Sequence, residues 1–432
     1  MNIRYSLTLY LFCATVVSLC AQVIPTPAPA QKEAILIMGA TAHIGDGRVI
    51  DNSALAFENG KLTLVADATT IRIDRSKYGR IYDASGKHVY PGLIAPDTRL
   101  GLVEIEAAKP TLDFSEPGAY NPNARSIVAY NTDSHVIPTV RSNGILMAQI
   151  CPIGGIMSGT SSVVQLDAWN WEDAAYKIDE GIHLNWPAER RGGQRRGMGG
   201  REEEDPYEKN VQELHRYFEE ARAYAQQAAP EVQNPRFESM RGLFDKRQTL
   251  YIHTDRASGI QESVLFAEKF GLRAVLVGAR DVWLTADFLK THNVPVILGR
   301  TNRLPGREDE DIDQAFKTPA LLHSKGVTFS FSDVGAWQQR NLAFEAGQAV
   351  AYGLPKEAAV QALTLDAARI LGIDTRCGSL ETGKDATLFI SEGDVLDMRS
   401  CQVTAAFIQG REINLDNKHK QLRKRFEEKY RQ

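Results

Sequence analysis

The sequence predicts an α/β protein: a barrel of strand–helix units whose chain begins and ends in stretches of short strands. Three observations carry this reading. Between residues 249 and 331 four apolar runs, Thr249–His253, Arg273–Val277, Val294–Leu298 and Val327–Phe331, are separated by helical stretches such as Ala257–Phe270 and Val282–His292. Repeated βα units at this spacing imply a parallel sheet, and eight would close a (β/α)8 barrel of the TIM type. The first part of the chain instead shows short strands and turns, and the same texture returns after Gly378. A chain of 432 residues, 43% of them hydrophobic, can bury one large core and a smaller one.

At the N-terminus a basic start (Arg4) precedes the apolar run Leu7–Leu19, which closes in Cys20-Ala21-Gln22. The run is too short for a comfortable membrane span and sits where an export signal belongs, so 1–21 is expected to be cleaved and the protein to be periplasmic or secreted. A lipoprotein reading, with Cys20 acylated, is disfavoured by the bulky Leu19 before it. Residues 22–32, rich in proline, read as a tether without fold. Strands follow at Ala34–Met38 and Thr41–Ile44, then at Ala54–Phe57 and Lys61–Val65 around the turn Glu58-Asn59-Gly60, a hairpin signal. Arg80–Tyr82 and the turn Ser85-Gly86 lead into Pro91-Gly92.

The first half of the barrel is less regular, with strands expected at Leu93–Thr98, Ile145–Gln149, Ser162–Leu166 and Ile182–Leu184. The segment 189–205 is Arg/Gly-rich and then acidic, with almost no apolar residue, and reads as a mobile insert. Its acid run and the net charge of −4 argue against nucleic acid as a partner. Asn341–Tyr352 and Lys356–Leu371 read as closing helices, and Thr387–Ile390 and Gln402–Ile408 as strands. The end, 413–432, carries a basic helix with Leu422, Phe426 and Tyr430 at i, i+4 and i+8, expected to pack on the fold, with an anionic surface as the alternative. Cys151, Cys377 and Cys401 show no C-x-x-C spacing and read as buried small hydrophobes, a Cys377–Cys401 disulfide staying open.

The run Val89-Tyr90-Pro91-Gly92-Leu93-Ile94 and the string Gly378-x-Leu380-x-x-Gly383-Lys384-Asp385-Ala386 resemble the metal-dependent amidohydrolase superfamily, in its imidazolonepropionase-like branch. Gly353-Leu354, Ala362-Leu363-Thr364 and Leu371-Gly372 extend the resemblance over nearly all of the chain after the signal. It implies a small composite β-sandwich made from 33–90 and 378–412, flanking a barrel over 91–377. It also implies hydrolysis of a non-peptide or dipeptide C–N bond. In such proteins a strand-one His-x-His pair, His residues ending strands five and six, and sometimes a strand-four side chain hold metal, while an Asp ending strand eight takes up a proton.

Carried over position by position, His253 matches the strand-five His and Asp333 the strand-eight Asp, and these two are the expected catalytic residues and weak metal ligands. The strand-one positions read Asp97 and Arg99, expected in the pocket, and Val277 stands where the strand-six imidazole belongs. A guanidinium cannot ligate a metal and opposes one. The expectation is therefore no metal or a substoichiometric one, zinc if any, with His183 a candidate fourth-strand ligand and Arg99 paired with Asp333 or Asp97. Two readings stay open: a hydrolase with a reduced metal site, and a catalytically silent binding subunit, a homo-oligomer or a partner of an active relative. The small-molecule ligand is not legible. There is no Gly-x-Ser-x-Gly, His-Glu-x-x-His or phosphate-cradling glycine loop. Acid pairs for glycoside hydrolysis drawn from Glu104, Glu106, Asp133 or Asp255 read as exposed acids.

Overall fold

A computed structural model describes residues 26–188 and 206–431. The expected export signal and the 189–205 insert therefore lie outside the described residues. Two eight-stranded sheets organise the chain. The first begins with β1 (Ile35–His43), β2 (Val49–Glu58), β3 (Lys61–Asp67), β4 (Arg80–Asp83) and β5 (His88–Pro91). The apolar Ala54–Phe57 of β2, the Asn59-Gly60 turn with both residues at positive φ, and the antiparallel β3 form the expected hairpin. The two strands expected at Ala34–Met38 and Thr41–Ile44 are one strand bent at Gly39 (φ +82°), whose halves pair with β4 and with β5.

The barrel follows as β6 (Leu93–Thr98), β7 (Ile145–Ile150), β8 (Met157–Gln165), β9 (Ala175–Asn185), β10 (Thr249–Thr254), β11 (Ala274–Gly278), β12 (Val296–Leu298) and β13 (Phe329–Phe331), in that spatial order. All eight expected strands are present. From β9 to β13 they run parallel, as the βα alternation demands, but β8 is antiparallel to both β7 and β9. No long helix separates these three: a loop joins β7 to β8, and one helical turn, Trp171–Ala174, joins β8 to β9. Antiparallel neighbours need only such short connections. The last strand meets the first through Ser332, whose hydroxyl donates to the Pro96 carbonyl at 2.9 Å.

The chain then returns to the first sheet with β14 (Leu388–Ser391), β15 (Val403–Ile408) and β16 (Arg411–Glu412). β14 lies antiparallel to β5, so the two ends of the sequence form one sheet around a shared core that includes Ile37, Phe57, Val89, Leu388 and Phe407. The expected closing helix 356–371 is interrupted at the buried Thr364, giving Lys356–Leu363 and Leu365–Leu371. The second of these places Ala367 and Ile370 against Ile94, Tyr251, Val275 and Ile297.

Two expectations are corrected. The tether is anchored over its described part, because the Ala28 amide donates to Asp167 at 2.8 Å and its carbonyl accepts from Arg411 at 3.0 Å. The C-terminal helix, Lys418–Tyr430, fully buries no residue; Leu422 is half-buried, but Phe426 and Tyr430 are exposed and do not pack on the fold. The cysteines follow the reading as unpaired side chains: Cys151 and Cys377 are buried free thiols, and Cys401 is a half-buried one, so the disulfide left open is not formed. No helix among the described residues is long and apolar enough to cross a membrane.

Candidate metal and active site

Parallel strands deliver their last side chains to one end of a barrel. There Asp97 on β6, His183 on β9 and His253 on β10 bring one ligand atom each to within 4.8 Å of one another. Asp97 reaches this place through a break in the β6–β7 ladder between Ala95 and Thr98, with its own φ at +47°. Such a conformation is costly for a residue with a Cβ and persists only where its surroundings impose it. Here the displaced amide is held by Gln149 Oε1 at 3.0 Å.

His183 pairs in register with Tyr251 on β10 and stacks on its ring at 4.9 Å. Its Nδ1 lies 2.8 Å from His253 Nε2, and its own Nε2 is buried with no partner. Burial holds the His183 pKa well below the ordinary imidazole value, with His253 and Arg99 adding to the effect. His253 is also lowered, by burial first, with the nearby Asp97 opposing and Arg99 assisting. Both rings are thus favoured in the neutral form that ligates metal.

Below them sits a buried group that the sequence did not point to. Glu180 accepts from Gln149 Nε2 at 2.7 Å, from the Ser161 hydroxyl, and from the Tyr251 hydroxyl at 2.7 Å. Burial raises its pKa and these donors offset part of the rise. Only Ile182–Leu184 was expected as strand here, whereas β9 extends over 175–185 and carries Glu180 inward.

Asp333, just beyond β13, stands apart from the three-residue cluster. Its Oδ1 accepts from Arg300 Nη2 at 2.8 Å, and its Oδ2 is buried without a partner. Burial raises its pKa in spite of the guanidinium. The expected Arg99–Asp333 or Arg99–Asp97 pair is not formed. Arg99 instead donates through Nη1 to the Val334 carbonyl at 2.5 Å, and Arg300, two residues beyond β12 and without any pattern to single it out, takes the aspartate. Val277 is buried on β11, so no imidazole enters from strand six.

The donor set fits one ion. Two neutral imidazoles and a carboxylate are a combination that zinc accepts. Imidazoles sharing a tetrahedral ion stand about 3.4 Å apart, so the 2.8 Å contact is an N–H···N hydrogen bond that a bound ion would replace. A separate cavity of about 350 Å³, lined in part by Thr249, Arg273, Lys290 and Arg369, opens at the amino ends of β10–β13, away from these groups.

The amidohydrolase family model matches residues 156–413. Among solved structures the chain is similar to an amidohydrolase from Thermotoga maritima MSB8, at 22% identity and a TM-score of 0.74, covering 88% of this chain and 99% of that one. It is also similar to a Xaa-Pro dipeptidase with bound methionine in its active site (15%, TM-score 0.54, 88% and 100% covered). A third similar structure is an adenosine deaminase from Xanthomonas campestris with bound zinc (16%, TM-score 0.52, 89% and 93% covered). These likenesses are of fold. No curated protein sequence matches.

Proposed function

The chain belongs to the amidohydrolase family, and from that premise we propose that it hydrolyses a C–N bond of a non-peptide amide or dipeptide at the carboxyl end of its barrel. The observation that carries this is the convergence of Asp97, His183 and His253, with both imidazoles favoured neutral by burial. These three residues would hold a single divalent ion, zinc by the chemistry of the donors. Such an ion supplies polarisation of water and of the scissile carbonyl.

The protein's own groups account for the rest. Gln149 fixes the Asp97 backbone, and Tyr251 sets the plane of His183. Asp333 Oδ2 is the vacant acceptor for a proton, while Arg300 holds the other oxygen and so aims it. We also infer export, from the segment 1–21.

A second reading is favoured by Arg300 on Asp333 and by Val277 and Arg99 at two customary ligand positions: a silent barrel that binds without turnover. Metal analysis of the purified full chain, with assays on N-acyl amino acids and Xaa-Pro dipeptides, separates the two. One zinc per chain, lost in His183→Ala and in His253→Ala, together with hydrolysis, supports the hydrolase. A protein without metal after expression in zinc-supplemented medium, and without turnover, overturns it.

A further inference from the structure

We propose that Arg99 is the seat of a carboxylate on the substrate, so that the molecule cleaved is an anionic amide or dipeptide; this rests on the hydrolase reading for the reaction but not for the binding. The geometry lies in how the guanidinium is used. Nη1 is tied to the Val334 carbonyl at 2.5 Å, which fixes the group in one orientation. The edge formed by Nε and Nη2 has no hydrogen-bond partner among the described residues, and Nε is buried. Nε and Nη2 lie on one edge of the guanidinium, and a carboxylate that reached both would be held by two parallel N–H donors.

Among the described residues no carboxylate forms an ion pair with this cation. Of the arginines around the mouth, Arg300 holds Asp333, Arg307 holds Asp281 and Arg303 holds Glu310, whereas Arg99, like Arg340, makes no ion pair among the described residues. Asp97 is two residues away, yet the hydrogen bond that Arg99 makes is to the Val334 carbonyl. A partly buried cation with an unfilled donor edge is costly unless something completes it. The ring of Phe114, 5.9 Å from the guanidinium carbon, walls one side. Arg99 directly follows β6, two residues beyond Asp97, at the end of the barrel where the three ligand atoms converge. A carboxylate on the fork would therefore set a neighbouring amide against Asp97, His183 and His253.

The test is calorimetric titration of the full chain with N-acetylglycine and succinate, and with the uncharged N-acetylglycinamide and succinamide, on metal-free and zinc-treated protein. The acids should bind and the amides should bind at least about ten-fold more weakly, as expected for loss of a charge-assisted bidentate pair. Arg99→Gln should abolish that preference and Arg99→Lys should keep part of it, while Arg340→Gln should leave it unchanged. Thermal melts of each variant verify folding. Equal binding of acids and amides, no measurable binding of the acids, or full retention in Arg99→Gln overturns the proposal. Acid-selective binding by a protein that never takes up zinc leaves Arg99 in place and defeats only the hydrolase reading.

Discussion

The Tyr251 hydroxyl donates to Glu180 Oε2 at 2.7 Å, and the ring that carries it stacks on His183. A carboxylate buried inside the barrel is thereby connected to the imidazole above it, and through Gln149 to the backbone of Asp97. Removing the carboxylate strands three donors. Glu180→Ala is expected to lose about 3 kcal/mol or more of unfolding free energy, and Glu180→Gln clearly less, because it retains one acceptor and most of the volume. Urea unfolding of the two variants checks this; equal losses would mean that the donors find other partners.

Gly181 supports the same arrangement by having no side chain. A Cβ there would stand 2.3 Å from the Tyr251 ring and 2.7 Å from the Thr249 carbonyl. Gly181→Ala should cost about 1–3 kcal/mol and shift the tyrosine from Glu180. A melt and zinc titration of this variant should show both a lower Tm and weaker uptake.

Acidity should act on the metal-free protein through His183. Its folded pKa is depressed, so below the unfolded value of about 6.5 the unfolded chain binds a proton that the folded chain resists. The unfolded state then carries more protons, and stability falls as pH falls through 6.5 toward the folded value. The contribution approaches about 1.4 kcal/mol per pH unit. In His183→Asn that contribution should be lost while the one from His253 remains, so the slope should be shallower and the stability difference from the natural chain should narrow between pH 7.5 and 5. An unchanged slope in urea titrations would refute the assignment.

Asp167 joins three parts of the molecule. It is buried between Arg141 at 2.6 Å and Arg411 at 2.9 Å, and it also receives the Ala28 amide. Asp167→Ala would leave two cations facing each other with little solvent, and should cost about 3–5 kcal/mol. Denaturation should detect this as a lowered midpoint, and proteolysis should release the N-terminal segment before residue 34.

Ending the chain before Gly378 should expose the edge of β5 that β14 covers and produce aggregated protein. A soluble truncation with a cooperative transition would show that the first sheet does not need its C-terminal strands.

Periodicity and turn chemistry are local, and what depends on them could be read from the chain. The apolar run at 249–253 ends in His253 because a parallel strand must deliver its last residue to the barrel mouth, and β10 spans Thr249–Thr254. The Asn59-Gly60 hairpin and the helix Ala257–Phe270 follow from the same local rules. Asp97, Arg99, His183, His253 and Asp333 were identifiable as candidates through the family resemblance, carried over position by position, and position along a strand is consistent with the end they reach. Their partners depend on distant segments. Arg300 rather than Arg99 holds Asp333, because the loop after β12 crosses the mouth beside strand eight. Glu180 turns inward because β9 is longer than its apolar run and pairs with an antiparallel β8. The sequence by itself determined the elements, the two-sheet plan and the end of the barrel where chemistry gathers. Only the tertiary structure decided which charges meet, because ion pairing and burial are set by contacts between residues far apart in the chain, and these leave no period in the sequence.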